Sequence, residues 1–314
     1  MGILSPTNDA DHTDLKRNLQ GPGRLTLLLL LTGQPRLLRR WCLLLASCDM
    51  SSELANQVLV IIGGTTGLGL SAARAFVGAG ARIVVVGRTA DSADLALAEL
   101  GSTARSLVGD ATHPDTAAQA IRLALESFGG FHGLYHVAGG SGRKMGDGPL
   151  HEITDSGWTG TLNLNLNSLF YSNRAAIQQF LKQGGGGTIL NMGSVLGQSP
   201  SPRYFSTHGY ATAKAAIVGL SQSAAAYYAP HNIRVNVIAP ALVATPMSRR
   251  AQENTEILDF IRTKQPLEGG RIGRPEDLDA AAIFFLSPAS RFVTGQVLAV
   301  DGGWTVSEGQ YEPA

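Results

Sequence analysis

The chain is poor in cysteine. Its 314 residues include two, Cys42 and Cys48, and both fall in the first fifty. Disulfides therefore contribute nothing to the fold of the remainder. An excess of charge of one sign is also missing. The formal net charge is +1 with no basic run suited to a phosphate backbone, so nucleic acid is not an expected partner. The seven histidines are scattered, with neither His-Glu-x-x-His nor Cys-x-x-Cys, and no metal site is expected. Long hydrophobic runs are lacking too. The patches Leu25 to Leu31 and Trp41 to Ala46 are split by Gln34, Pro35, Arg36, Arg39 and Arg40. Neither approaches the roughly 20 residues of a spanning helix, so no membrane association is expected.

What is present divides in two. Residues 1–49 combine early aspartates, a Gly21-Pro22-Gly23 turn and the two broken apolar patches. The acids exclude an organelle transit peptide. This stretch reads as a disordered extension, or as sequence upstream of a true start at Met50. Residues 50–314 read as one domain, 44% of the whole chain being hydrophobic and 16% charged as in ordinary globular proteins.

Within that domain, apolar strands alternate with helical stretches. Strands are predicted at Val58 to Ile62, Arg82 to Val86, Ser102 to Val108, Leu134 to Val137, Thr188 to Met192, Ile233 to Ile238 and Gln296 to Val300. Helices are predicted at Ser71 to Val77, Asp91 to Leu100, Pro114 to Phe128, Trp158 to Lys182 and His208 to Ala229, with another opening at Pro275. Such alternation implies right-handed βαβ units and an α/β fold: a seven-stranded parallel sheet, doubly wound, with helices on both faces. Ligands of these sheets sit beyond the carboxyl ends of the strands. Gly63, Arg88, Asp110, Ala138, Ser194 and Pro240 each follow a predicted strand and should line one rim.

Two clusters on that rim carry chemistry. The first is Gly63-Gly64-Thr65-Thr66-Gly67-Leu68-Gly69 between strand and helix, a geometry that turns backbone N–H groups toward a phosphate. The second is Tyr210 with Lys214, four apart and so on one helix face, and Ser194 after the fifth strand. An ammonium beside a phenol favours the phenolate, which would suit Tyr210 to acid/base work near neutral pH. Ser194 is placed to hydrogen-bond a substrate oxygen. After the second strand comes Gly87 and then Arg88, where NAD-specific sheets carry an acid. A guanidinium there suits a 2′-phosphate, and Thr89 would add a hydroxyl, so NADP(H) is expected over NAD(H). Gly87→Asp with Arg88→Ile is expected to reverse that order.

From about residue 54 to 307 the sequence resembles the short-chain dehydrogenase/reductase family. Ile62 to Gly69 matches its Thr-Gly-x-x-x-Gly-x-Gly cofactor turn except for the leading residue. The resemblance implies that Tyr210 is the catalytic acid/base, that Lys214 holds the nicotinamide ribose, and that Ser194 polarises the carbonyl. It makes Asn165 the asparagine that holds a relay water. It implies cofactor contacts at Gly63, Thr65, Gly67, Leu68, Gly69, Arg88, Asp110, Ala138, Gly139, Pro240, Val243 and Thr245, besides Tyr210 and Lys214. Three departures stand out. His136-Val137 replaces the usual Asn-Asn, so the asparagine bracing the central strand is lost. Ala241 replaces the glycine after Pro240. The stretch from Ser194 to Tyr210 is long, through Ser199-Pro200-Ser201-Pro202-Arg203-Tyr204-Phe205, and should border the substrate pocket. Arg249 and Arg250 read either as anchors for an acyl-carrier or coenzyme A phosphate or as a solvated face. His208 reads as incidental to the chemistry. The expectation is thus a cytoplasmic NADP(H)-dependent oxidoreductase, a dimer or tetramer, acting on a small carbonyl/alcohol substrate. A cofactor-binding sensor or scaffold of the same fold is the alternative.

Overall fold

A computed structural model describes residues 53–309, so the expectations for residues 1–49 lie outside the described residues. Seven strands form one wholly parallel sheet in the order β3-β2-β1-β4-β5-β6-β7. They are β1 (Val58–Ile62), β2 (Arg82–Gly87), β3 (Ala104–Val108), β4 (Gly133–His136), β5 (Gly187–Met192), β6 (Ile233–Pro240) and β7 (Val297–Val300). The helices that cross between them are α1 (Gly67–Gly78), α2 (Ala90–Leu100), α3 (Thr116–Phe128), α4 (Asp155–Leu162), α5 (Ser168–Gln183), α6 (His208–Tyr228), α7 (Arg249–Gln252), α8 (Thr255–Lys264) and α9 (Asp279–Leu286).

The doubly wound expectation holds strand for strand. All five residues of β1 are buried, because apolar clusters lie on both faces of the sheet. On one face Leu59, Ile61, Ile83 and Val85 pack with Phe76 and Phe285; on the other Val58, Val60, Val84 and Val86 pack with Ile121 and Phe180. Successive strand side chains alternate between the two clusters, as the pleat requires. The strand order reverses between β1 and β4, which opens a crevice at their carboxyl ends.

Several boundaries differ from the sequence reading, α1 for one beginning at Gly67 instead of Ser71. Gly101–Thr103 forms a 3₁₀ turn, so β3 begins later, at Ala104. Helix α3 begins at Thr116 instead of Pro114, because Thr112 bonds back to Asp110 through both its N–H and its hydroxyl, each at 2.8 Å. The predicted helix from Trp158 to Lys182 is not uniform: Asn163–Asn167 forms a π-helical turn between α4 and α5.

Candidate active site

Beyond the carboxyl ends of the strands lies a cavity of about 890 Å³. Gly63, Arg88, Asp110, Ala138, Ser194 and Pro240 all line it, as their positions after strands require. Thr65, Gly67, Leu68, Gly139, Tyr210, Lys214, Val243 and Thr245 line it as well. Gly69 lies just behind.

The glycine turn after β1 has no room for a side chain at Gly63 or Gly69. Gly63 has φ +86°, and a Cβ there would lie 2.7 Å from the Ala138 nitrogen. A Cβ at Gly69 would lie 2.0 Å from the Gly63 carbonyl oxygen, so this glycine lets α1 close onto the turn. Thr66 precedes α1 without any side-chain cap, which leaves the first N–H groups of the helix available to a ligand. Thr245 closes over this turn, its methyl 3.6 Å from where a Gly67 Cβ would stand.

At the end of β2, Arg88 is exposed and lines the cavity. Thr89 is not a free donor as expected: its hydroxyl caps α2, accepting from the Ser92 N–H and donating to Ser92 Oγ at 2.9 Å. Gly87 is buried, and a Cβ on it would fall 2.2 Å from Thr65 Oγ1. An aspartate introduced there would push Thr65 out of the cofactor turn, so the Gly87→Asp exchange cannot test dinucleotide choice. Asp110 follows β3. Burial alone would raise its pKa, but the two Thr112 donors, with Arg88 and His113 adding, hold the carboxyl below its usual range.

On β4, the lost asparagine has a substitute. His136 is buried; its Nε2 meets the Ala138 carbonyl at 3.1 Å, and its Nδ1 meets Ser172 Oγ of α5 at 2.8 Å. One neutral tautomer satisfies both, Nε2–H donating and Nδ1 accepting. Burial first, and then the Lys214 charge, push its pKa down to about 3, so it stays neutral. Asn165, in the π turn, is fully buried. Its Oδ1 accepts from Gly140 N–H at 3.0 Å, while Nδ2 donates to the Gly140 and Thr161 carbonyls, both at 2.9 Å. The side chain thus braces the loop after β4, with both its oxygen and its nitrogen engaged within the protein.

Ser194 begins a 3₁₀ turn after β5, its Oγ accepting from Leu196 N–H at 3.2 Å. Tyr210 and Lys214 share a face of α6, with the Lys214 ammonium 5.5 Å from the phenol ring centre. Lys214 is buried, donates to the Met192 carbonyl at 2.7 Å, and burial lowers its pKa to about 7. The expected lowering of the Tyr210 pKa is not found in this state. Burial raises it above the ordinary 10.0, and only the Ser194 hydroxyl works in the other direction.

One residue that the sequence did not reveal fixes this helix in place. Asp147, 5% exposed, accepts from the backbone N–H groups of Gly209 and Tyr210 at 2.9 and 2.8 Å. It caps α6 from the loop after β4, some sixty residues away in the chain. The only available signal was an acid flanked by glycines, which reads as a turn. Of the other expectations, Ala241 packs in an apolar cluster around Trp304, and Phe205 of the long loop meets Trp304 edge-on at 5.8 Å in the cavity wall. Arg249, Arg250 and His208 are all exposed, and of the three Arg250 lines the cavity. Among the described residues no cluster of three or more metal-ligating side chains occurs, and no helix is long and apolar enough to cross a membrane.

A crevice at the strand-order reversal, a glycine turn and a Ser–Tyr–Lys set on one wall define a dinucleotide-dependent oxidoreductase fold. Comparison with known proteins agrees: the family model described as "Enoyl-(Acyl carrier protein) reductase" matches residues 62–305. The chain belongs to the short-chain dehydrogenase/reductase family. It is 34% identical over 259 residues to galactitol 2-dehydrogenase (L-tagatose-forming) of Cereibacter sphaeroides, covering 81% of this chain and 97% of that one. A solved short-chain type dehydrogenase/reductase from Mycobacterium ulcerans matches with a TM-score of 0.74 at 32% identity, over 81% of this chain and 91% of that one. The 3-ketoacyl-(acyl-carrier-protein) reductase of Brucella melitensis, solved in complex with NADH, matches at a TM-score of 0.71 and 26% identity, over 81% and 100%.

Proposed function

We propose that this protein is an NADP(H)-dependent oxidoreductase that interconverts a carbonyl and an alcohol, with Tyr210 as the acid/base. The observation that carries the reading is the convergence of Ser194, Tyr210 and Lys214 in the cavity that also holds the glycine turn. The fit to a dinucleotide rests on the tight glycine turn, which packs Gly63 against Ala138 and α1 against Gly63, and on the uncapped start of α1. When bound, the nicotinamide supplies or accepts the hydride.

The side chains divide the remaining work. Ser194 and Tyr210 offer two hydroxyls to one substrate oxygen, and the proton moves to or from the Tyr210 oxygen. A phenol held above its ordinary pKa stays protonated at neutral pH and so carries the proton that reduction needs, but as a weaker acid than free tyrosine. Lys214 balances this: protonated, it stabilises the phenolate left behind, and its pKa near 7 places that charge under the control of the surroundings. Asn165 and His136 brace the Ala138–Gly140 loop in the cavity wall, and Asp147 holds the start of α6. Arg88 supports the choice of NADP(H), since no carboxylate stands at the end of β2 to repel a 2′-phosphate.

A homo-oligomer belongs to the same proposal. The edge strand β7 exposes Leu298, and Phe284, Phe292 and Val306 are exposed as well. The test of the function is a panel of ketones, keto-acyl thioesters, sugars and steroids with NADPH, followed at 340 nm, against the Tyr210→Phe protein as control. Reduction of any panel member that needs the Tyr210 hydroxyl supports the reading. A variant as active as the parent overturns the assignment.

A further inference from the structure

The cavity carries a polar feature that the proton transfer does not use. Arg143, in the turn after β4, and Arg250, in α7, come from distant segments and converge on one acceptor. The Tyr204 carbonyl accepts from Arg143 Nη2 at 3.3 Å and from Arg250 Nη2 at 3.0 Å. Both arginines line the cavity that contains Ser194 and Tyr210. Each guanidinium has five N–H donors, so one shared carbonyl leaves most of them unused.

The pair is also short of negative charge. Neither arginine enters an ion pair among the described residues. The acid that acts on Arg143 is Asp147, and both of its oxygens already accept from the N–H groups of α6. Burial, and then the charge of Arg250, hold the Arg143 pKa below its usual value. Two like charges gathered at a partly buried wall are unfavourable until an anion joins them. Arg249, next in sequence, is exposed like Arg250 but does not line the cavity. Phe205 and Trp304 line the same cavity and give its wall an apolar stretch that suits hydrocarbon.

We infer that the substrate carries an oxyanionic group, held by Arg143 and Arg250 while its carbonyl or alcohol carbon lies at Tyr210. The inference rests on the carbonyl/alcohol reading of the site. Carboxylate, sulfonate and phosphate share the chemistry that a pair of guanidinium forks recognises.

The test needs no turnover. The full chain, saturated with NADP⁺, is titrated calorimetrically with cyclohexanecarboxylate, cyclohexanesulfonate, cyclohexyl phosphate and the neutral cyclohexanecarboxamide. At least one anion should bind about 10- to 100-fold more tightly than the amide. That advantage should shrink as salt is raised and vanish in Arg143→Met/Arg250→Met. Arg250→Gln, which keeps a donor for the Tyr204 carbonyl but no charge, should lose most of it while melting like the parent protein. Equal binding of anions and amide overturns the inference, as does an advantage that survives in the double variant. A weakened dinucleotide with unchanged anion binding overturns it too, and assigns the pair to the cofactor. Arg-dependent anion binding without reduction of any carbonyl compound would leave this inference standing and sink the proposed reaction. Reduction indifferent to substrate charge would do the reverse.

Discussion

Asp147 offers the sharpest perturbation of the site, because it touches α6, the helix of Tyr210 and Lys214, without lining the cavity. Replacing it by alanine removes two charge-assisted hydrogen bonds and leaves the Gly209 and Tyr210 N–H groups without a partner at a buried helix start. Each bond of this type is worth about 1.5–3 kcal/mol, and the loss of a negative charge at a helix N-terminus adds roughly 0.3–1 kcal/mol. Water entering beside the half-buried Tyr210 returns part of this, so a net cost of about 2–4 kcal/mol is expected. In a domain of this size that lowers Tm by roughly 4–16 °C. The kinetic effect should be larger than stability alone implies. Tyr210 is the second residue of the cap, and a displacement near 1 Å costs about 10²-fold in rate. Asp147→Asn keeps the volume but can accept only through its single carbonyl oxygen, so it should fall between alanine and the parent. The assay pairs thermal melts with kcat and with NADPH affinity by fluorescence. The expected pattern is a lower Tm, a lower kcat and an unchanged cofactor Kd. An Asp147→Ala protein with parental Tm and kcat would refute the reasoning, and one with weakened cofactor binding would relocate the residue's role.

Other outcomes follow from the same geometry. Tyr210→Phe retains the ring and its packing but lacks the transferable proton, so turnover should drop by roughly two to four decades with cofactor binding near parental, measured by single-turnover kinetics. Arg88 should favour NADPH over NADH by about ten- to a hundredfold, and Arg88→Ile should erase the difference; equal affinities in the parent at low salt would remove Arg88 from phosphate recognition. His136, with its folded pKa of about 3 below the ordinary 6.5, takes up its proton more readily when unfolded. Its contribution to stability is therefore present above pH 6.5 and lost as the pH falls from there toward 3. His136→Asn should flatten that part of the acid melting curve, and an unaltered curve would mean that the histidine is not held neutral.

The parallel sheet was legible because each strand is a short apolar run next to glycines, and a buried strand has few other ways to be written. Ser194, Tyr210, Lys214 and the glycine turn were legible for a related reason: each belongs to a fixed local spacing. What stayed hidden depends on tertiary approach. Nothing around Asp147 says that it meets a helix starting at His208, and Arg143 gives no sign of Arg250 or of the Tyr204 carbonyl. The obstacle to the Gly87→Asp exchange was hidden on the same ground, since Thr65 becomes its neighbour only when β1 and β2 pair. His136 was read as a loss because its new partner, Ser172, lies on a helix whose facing could not be fixed without the π turn.

That π turn acts as a phase adjuster. One residue in a helix advances the direction of its side chains by about 100°. Upstream, Thr161 is tied by its carbonyl to Asn165; downstream, Ser172 is tied to His136, and Asn173 exchanges two hydrogen bonds of 2.9 Å with Asn191 of β5. The two halves thus answer to different clients, one to the loop over the cavity and the other to the sheet. A continuous α-helix would satisfy only one of them. Length at this point is consequently worth more than identity: exchanging Leu164 or Leu166 for another apolar residue leaves the phase intact, whereas removing a single residue would turn Ser172 and Asn173 away from the strands they secure.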